Sequence, residues 1–67
     1  MFGLSEKDKY EITSWAFSYF MTNNLTISEA VTLAVKKVKP KKIGKDGSLK
    51  LSESILLDLQ FRIKSML

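Results

Sequence analysis

Seven of the eleven basic residues in this chain fall within fifteen consecutive positions: Lys36, Lys37, Lys39, Lys41, Lys42, Lys45 and Lys50. Asp46 is the sole acid among them, so residues 36–50 carry a net +6. Residues 1–35 sum to −2 and residues 51–67 to zero, which makes the overall +4 a local property of one segment. Lysines at this density attract polyanions, because neutralising phosphates releases condensed counterions. Contacts of this kind hold a backbone without reading sequence, since lysine is a flexible point charge and residues 36–50 contain no Arg, Asn or Gln for bidentate base contacts. Nor does that stretch contain an aromatic residue on which a base could stack. The plainer alternative is that the lysines solvate a loop and complement the negative end of a helix.

Other chemistries find few residues to work with. Cysteine and histidine are absent, which removes disulfides, a thiolate nucleophile and imidazole or thiolate metal ligands, so no cofactor or metal is expected. The seven carboxylates are scattered, with Glu6, Asp8, Glu11, Glu53 and Asp58 expected on solvated helix faces, and no spacing pairs an acid with a base. Gly44-Lys45-Asp46-Gly47-Ser48 is too short for a phosphate-binding loop and lacks its flanking pattern. These readings lead to the expectation of a protein that is not an enzyme.

Membrane attachment through the basic segment would need an apolar anchor or a lipid, and Ile43 and Leu49 are meagre anchors. No stretch approaches the ~20 apolar residues that span a bilayer, and Met1-Phe2-Gly3-Leu4 runs at once into charged residues, so a cytoplasmic location is expected and a membrane partner is not. Asn24-Leu25-Thr26 matches a glycosylation acceptor but is read as chance in such a chain. Shortness, lysine content and the lack of cysteine are the only grounds for expecting a bacterial or phage source.

The elements that would position these residues are three helices. Residues 5–22 form the first: Ser5 with Asp8 can cap it, and Ile12, Trp15, Ala16, Tyr19 and Phe20 recur on one face with Tyr10, Phe17 and Met21 as an adjoining stripe. Strand-like alternation of Trp15, Phe17, Tyr19 and Met21 is outweighed by the lack of Gly and Pro, by Phe20, and by the want of a partner strand. Thr26 with Glu29 is a capping box opening a second helix over 27–38, with Ile27, Ala30, Val31, Ala34 and Val38 on its inner face. Pro40 must end it. Residues 39–51 read as a basic loop in which Ile43 and Leu49 could pair as a very short hairpin. Ser52 caps a third helix over 52–66, its main face set by Ile55, Leu56, Leu59, Ile63, Met66 and Leu67, with Asp58 and Arg62 paired on the outside.

Leu25-Thr26-Ile27-Ser28-Glu29-Ala30 resembles the opening of many helix-turn-helix motifs over those six residues. The place of a recognition helix instead holds Pro40, Gly44 and Gly47, which argues against the standard motif and leaves only a winged variant using residues 43–51.

The expected architecture is therefore a single all-α domain over residues 1–67, a small three-helix bundle with a short hairpin or ordered basic loop between helices 2 and 3. A domain this small must bury nearly every large side chain it has, so Trp15 is expected in the core. Yet the apolar residues outnumber what two neighbours can cover, and Tyr10, Phe17, Met21, Leu57 and Phe61 form the expected partner surface. The expected function is that of a small regulatory or accessory protein that binds another protein or a second copy of itself. The competing expectation is nucleic-acid binding, with Lys36, Lys37, Lys39, Lys41, Lys42, Lys45 and Lys50 on phosphates.

Overall fold

A computed structural model describes residues 4–67; the reading of Met1–Gly3 as too brief an apolar start for a leader lies outside them. The described chain is a three-helix bundle in the order α1 (Glu6–Asn23), α2 (Ile27–Val38), α3 (Glu53–Met66), with one turn of 3-10 helix at Pro40–Lys42 between α2 and α3.

Local sequence sets each helix boundary. The Ser5 hydroxyl accepts from the Asp8 amide at 3.1 Å and opens α1, with Glu6 and Asp8 in its first turn where acids favour the positive helix end. Asn24 closes it in the left-handed region at φ 54°, a conformation that asparagine tolerates better than most residues. Two residues later the Thr26–Glu29 capping box is complete, the Thr26 hydroxyl accepting from the Glu29 amide and the Glu29 carboxylate accepting from the Thr26 amide, both at 3.1 Å. Pro40 ends α2, whose last bond runs from the Lys39 amide to the Val35 carbonyl at 2.7 Å. Ser52 caps α3 through the Ile55 amide at 3.3 Å.

The hairpin expected between helices 2 and 3 is reduced to a single antiparallel bridge between Ile43 and Leu49. The Gly44 amide donates to the Ser48 carbonyl, and the Lys50 amide to the Lys42 carbonyl, each at 2.7 Å. Gly47, at φ 85°, takes the turn position a side chain would strain. Pairing stops there because two strands of this length have no further rung to add.

The three-residue link between α1 and α2 folds them back antiparallel, and α3 packs against both, so that Glu6 and Lys9 of α1 meet Arg62 and Asp58 of α3. The core is Ile12, Ala16, Ala30, Val31, Ala34, Val35, Leu59 and Ile63. Three of these eight are alanines, so α1 and α2 approach closely but bury little volume. Thr13 is the one buried polar residue among those described, and its hydroxyl donates to the Lys9 carbonyl at 2.7 Å.

Three expectations are corrected here. Trp15 is not core: it is 42% exposed, because small Ala16, Ala30 and Ala34 bring the helices too near for an indole to fit between them. Phe17 is not free surface but packs, partly buried, against the core with Tyr19 and Phe20. Met66 and Leu67, 46% and 63% exposed, lie at the end of α3 rather than within its buried face.

Candidate functional site

Two unlike surfaces flank α1. The first lies between α1 and α3. A helical residue and one two positions away point about 200° apart, so partners of fully buried residues at that spacing face solvent. Tyr10 stands in this relation to Ile12, and Leu57 and Phe61 both stand so to Leu59, with Phe61 likewise opposed to Ile63. They are 71%, 58% and 69% exposed, left uncovered among the described residues. Tyr10, Phe61 and Met66, with Thr13, Ser14, Arg62 and Ser65, line a groove of about 310 Å³. A second shallow depression of about 450 Å³ continues from Phe61 past Leu57 to Ser54, Gln60 and Lys64. Met21, 60% exposed, is not among the residues lining either depression.

One edge of this surface is clamped by a closed ring of four charges joining the two helices. Arg62 reaches Asp58 and Glu6 at 3.1 Å each, and Lys9 reaches Asp58 at 3.4 Å and Glu6 at 3.7 Å. The Arg62 guanidinium, with help from Lys9, holds the Asp58 carboxyl below its ordinary pKa, and Asp58 and Glu6 hold the Arg62 guanidinium above its own. An isolated surface pair contributes little, but a ring that ties two elements together orients both. Here it fixes α3 against α1, and Arg62 lines the groove as part of that ring.

Set against protein-family models, curated proteins and solved structures, the chain matches none.

The second surface lies on the α2 side of α1 and runs into the basic segment. Lys36, Lys37, Lys41, Lys45 and Lys50 are exposed, while Lys39 and Lys42 are partly buried. Lys39 pairs with Asp8 of α1 at 3.4 Å; among the described residues none of the other six has an acidic partner. Asp46 is occupied within its own turn, accepting from the Ser48 hydroxyl at 2.7 Å and the Ser48 amide at 3.0 Å. Those bonds, the hydroxyl's first, hold its carboxyl below the ordinary value.

Sequence reasoning missed the aromatics that belong to this side. Lys37 places its ammonium 5.0 Å from the centre of the Trp15 ring, and Trp15 lies 5.9 Å from Tyr19 with the rings tilted by 30°. A cation over an exposed indole contributes ~0.5–1 kcal/mol. The signal was present in the chain: folding two helices back about Leu25 brings position 37 level with the middle of α1, so Lys37 had to meet that stretch.

Among the described residues no cluster of three or more acidic side chains is arranged to hold a metal ion. No helix of the described chain is long and apolar enough to cross a membrane.

Proposed function

We propose that this is a small, non-enzymatic regulatory or accessory protein that works by protein–protein contact through the α1/α3 face, and that the occupant of that face is a second copy of the chain. What carries the reading is the position of Tyr10, Leu57 and Phe61, each exposed on the side of its helix turned away from the core.

Area and stability both favour a second copy. Aromatic side chains can bury ~150–250 Å² each, so Tyr10 and Phe61 alone offer on the order of 300 Å² of apolar surface. Leu57, Met66 and the polar rim of Gln60, Arg62 and Lys64 extend that area toward the roughly 600 Å² per partner that the smaller stable interfaces bury. Small domains also need some device beyond a single core, and a chain without cysteine or histidine has lost disulfides and the usual structural zinc. Association remains. A two-fold axis beside Phe61 would set the Leu57–Phe61 ridge of one copy against that of the other, with Ser14 and Ser65 small enough to admit the opposing ring.

Sedimentation equilibrium over a concentration series tests this directly. The wild-type chain is expected to approach twice the monomer mass as concentration rises, and the Leu57→Ser/Phe61→Ser variant to stay monomeric with unchanged helicity. A wild-type chain that is monomeric throughout contradicts the proposal.

A further inference from the structure

We infer that the opposite side of α1 is a binding surface for single-stranded nucleic acid, with Trp15 and Tyr19 as a stacking platform and the lysines of residues 36–50 as phosphate contacts. This rests on different residues from the α1/α3 face and stands or falls without it.

A basic segment alone attracts any polyanion and selects nothing. What the fold adds is an aromatic pair from another helix, placed against the beginning of that segment. Trp15 is the largest side chain in the protein and the only tryptophan, and it is left 42% exposed, with Tyr19, itself partly buried against the core, backing it. Lysines then follow in chain order: Lys36 and Lys37 on the last turn of α2, Lys41 and Lys42 on the 3-10 turn, and Lys45 and Lys50 on the bridged loop. The loop backbone is ordered by the Ile43–Leu49 bridge, so the lysines it carries spring from set positions. Two acids temper the patch. Asp8 neutralises Lys39, and Asp46 stays ionised within its Ser48 turn, which leaves six lysines facing one local carboxylate.

The occupant follows from the chemistry. Stacking on an indole needs an unpaired base with a free face, which a duplex does not offer. Ammonium groups and aromatic rings, with no amide or guanidinium among residues 36–50, engage phosphate and any base, so binding is tolerant of sequence. Lys37 covers one face of Trp15 in the free protein. An exposed cation–π contact is weaker than a base stacked on the same ring, and the displaced ammonium gains a phosphate, so the exchange favours the bound strand.

Trp15 supplies its own readout. Titrating the protein with a dodecamer of uridine at low salt is expected to shift and quench its emission, and a duplex of the same length is expected to bind at least tenfold more weakly. Anisotropy of a labelled dodecamer is expected to show Trp15→Leu binding roughly tenfold or more weakly. Replacing Lys41, Lys45 and Lys50 with Gln is expected to make the salt dependence shallower by about 2 in the log–log slope. Lys37→Gln, which leaves the ring in place, guards against a folding defect in Trp15→Leu and is expected to lower affinity while keeping the fluorescence change. Equal affinity for duplex and single strand, an unmoved Trp15 emission, or no binding at low salt would each overturn the inference.

Discussion

Tyr10 and Trp15 sit on the same helix about 140° apart around its axis, both exposed, and they belong to different kinds of surface. Tyr10 opens onto α3, where its neighbours are Phe61, Met66 and two serines. Trp15 opens onto α2, where Lys37 lies over its ring and Tyr19 beside it. An exposed aromatic therefore means little until its neighbours are known. Beside other apolar side chains it offers area that a protein can cover; beside lysines it offers a flat ring within reach of a phosphate chain.

The comparison is broken most severely by removing what both surfaces share. Leu59→Ala is expected to cost ~2–5 kcal/mol, because Leu59 is fully buried in a core of eight residues that cannot collapse to fill the gap. Urea unfolding followed by helicity measures this, and a cost below ~1 kcal/mol would show that the core lies elsewhere. Next is the contrast between the two aromatics themselves. Trp15→Ala is expected to cost on the order of 2 kcal/mol, roughly half of what a fully buried tryptophan loses, whereas Tyr10→Ala should fall within ~0.5 kcal/mol of wild type. Equal costs in thermal melts would erase the distinction between a half-seated and a free ring. Lys37→Gln should cost ~0.5–1 kcal/mol at most, the range of an exposed cation–π contact.

Acid provides a subtler contrast. Asp58 and Asp46 both have folded pKa values below the ordinary aspartate value, so each contributes stability above about pH 4 that is lost as pH falls through its lowered folded value. The consequences differ by region. Protonating Asp58 opens the charge ring between α1 and α3, while protonating Asp46 loosens only the Gly44–Ser48 turn. Asp58→Asn should therefore flatten the dependence of the melting temperature on pH below about 4, and Asp46→Asn should leave it nearly unchanged. The reverse ranking would mean that the turn, not the ring, holds the bundle together.

Much of the bundle was legible from local signals. Ser5, Thr26, Pro40 and Ser52 act on their own neighbours in the chain, so the helix boundaries could be read to within a residue or so. The Asp58–Arg62 pair, four residues apart on one helix, was equally readable. Trp15 was misplaced because periodicity marks the side of a helix that meets another helix, not how closely the two approach; alanines at positions 16, 30 and 34 decided that. Phe17 erred in the opposite direction, since its burial depends on how α1 is rotated against its neighbours. The lysines were legible as charge, but the pairing of Lys39 with Asp8 and of Lys37 with Trp15 depends on helices packed from distant parts of the chain.

The central claim is that the α1/α3 face is where a second protein copy docks and that the basic, aromatic side is not. Amide spectra of the labelled chain, recorded on dilution from millimolar to micromolar concentration, test it most directly. The account predicts shifts concentrated at Tyr10, Ser14, Leu57, Phe61 and Ser65, with Trp15, Tyr19 and residues 36–50 unmoved. Spectra that do not change on dilution, or that change on the lysine side instead, would contradict it.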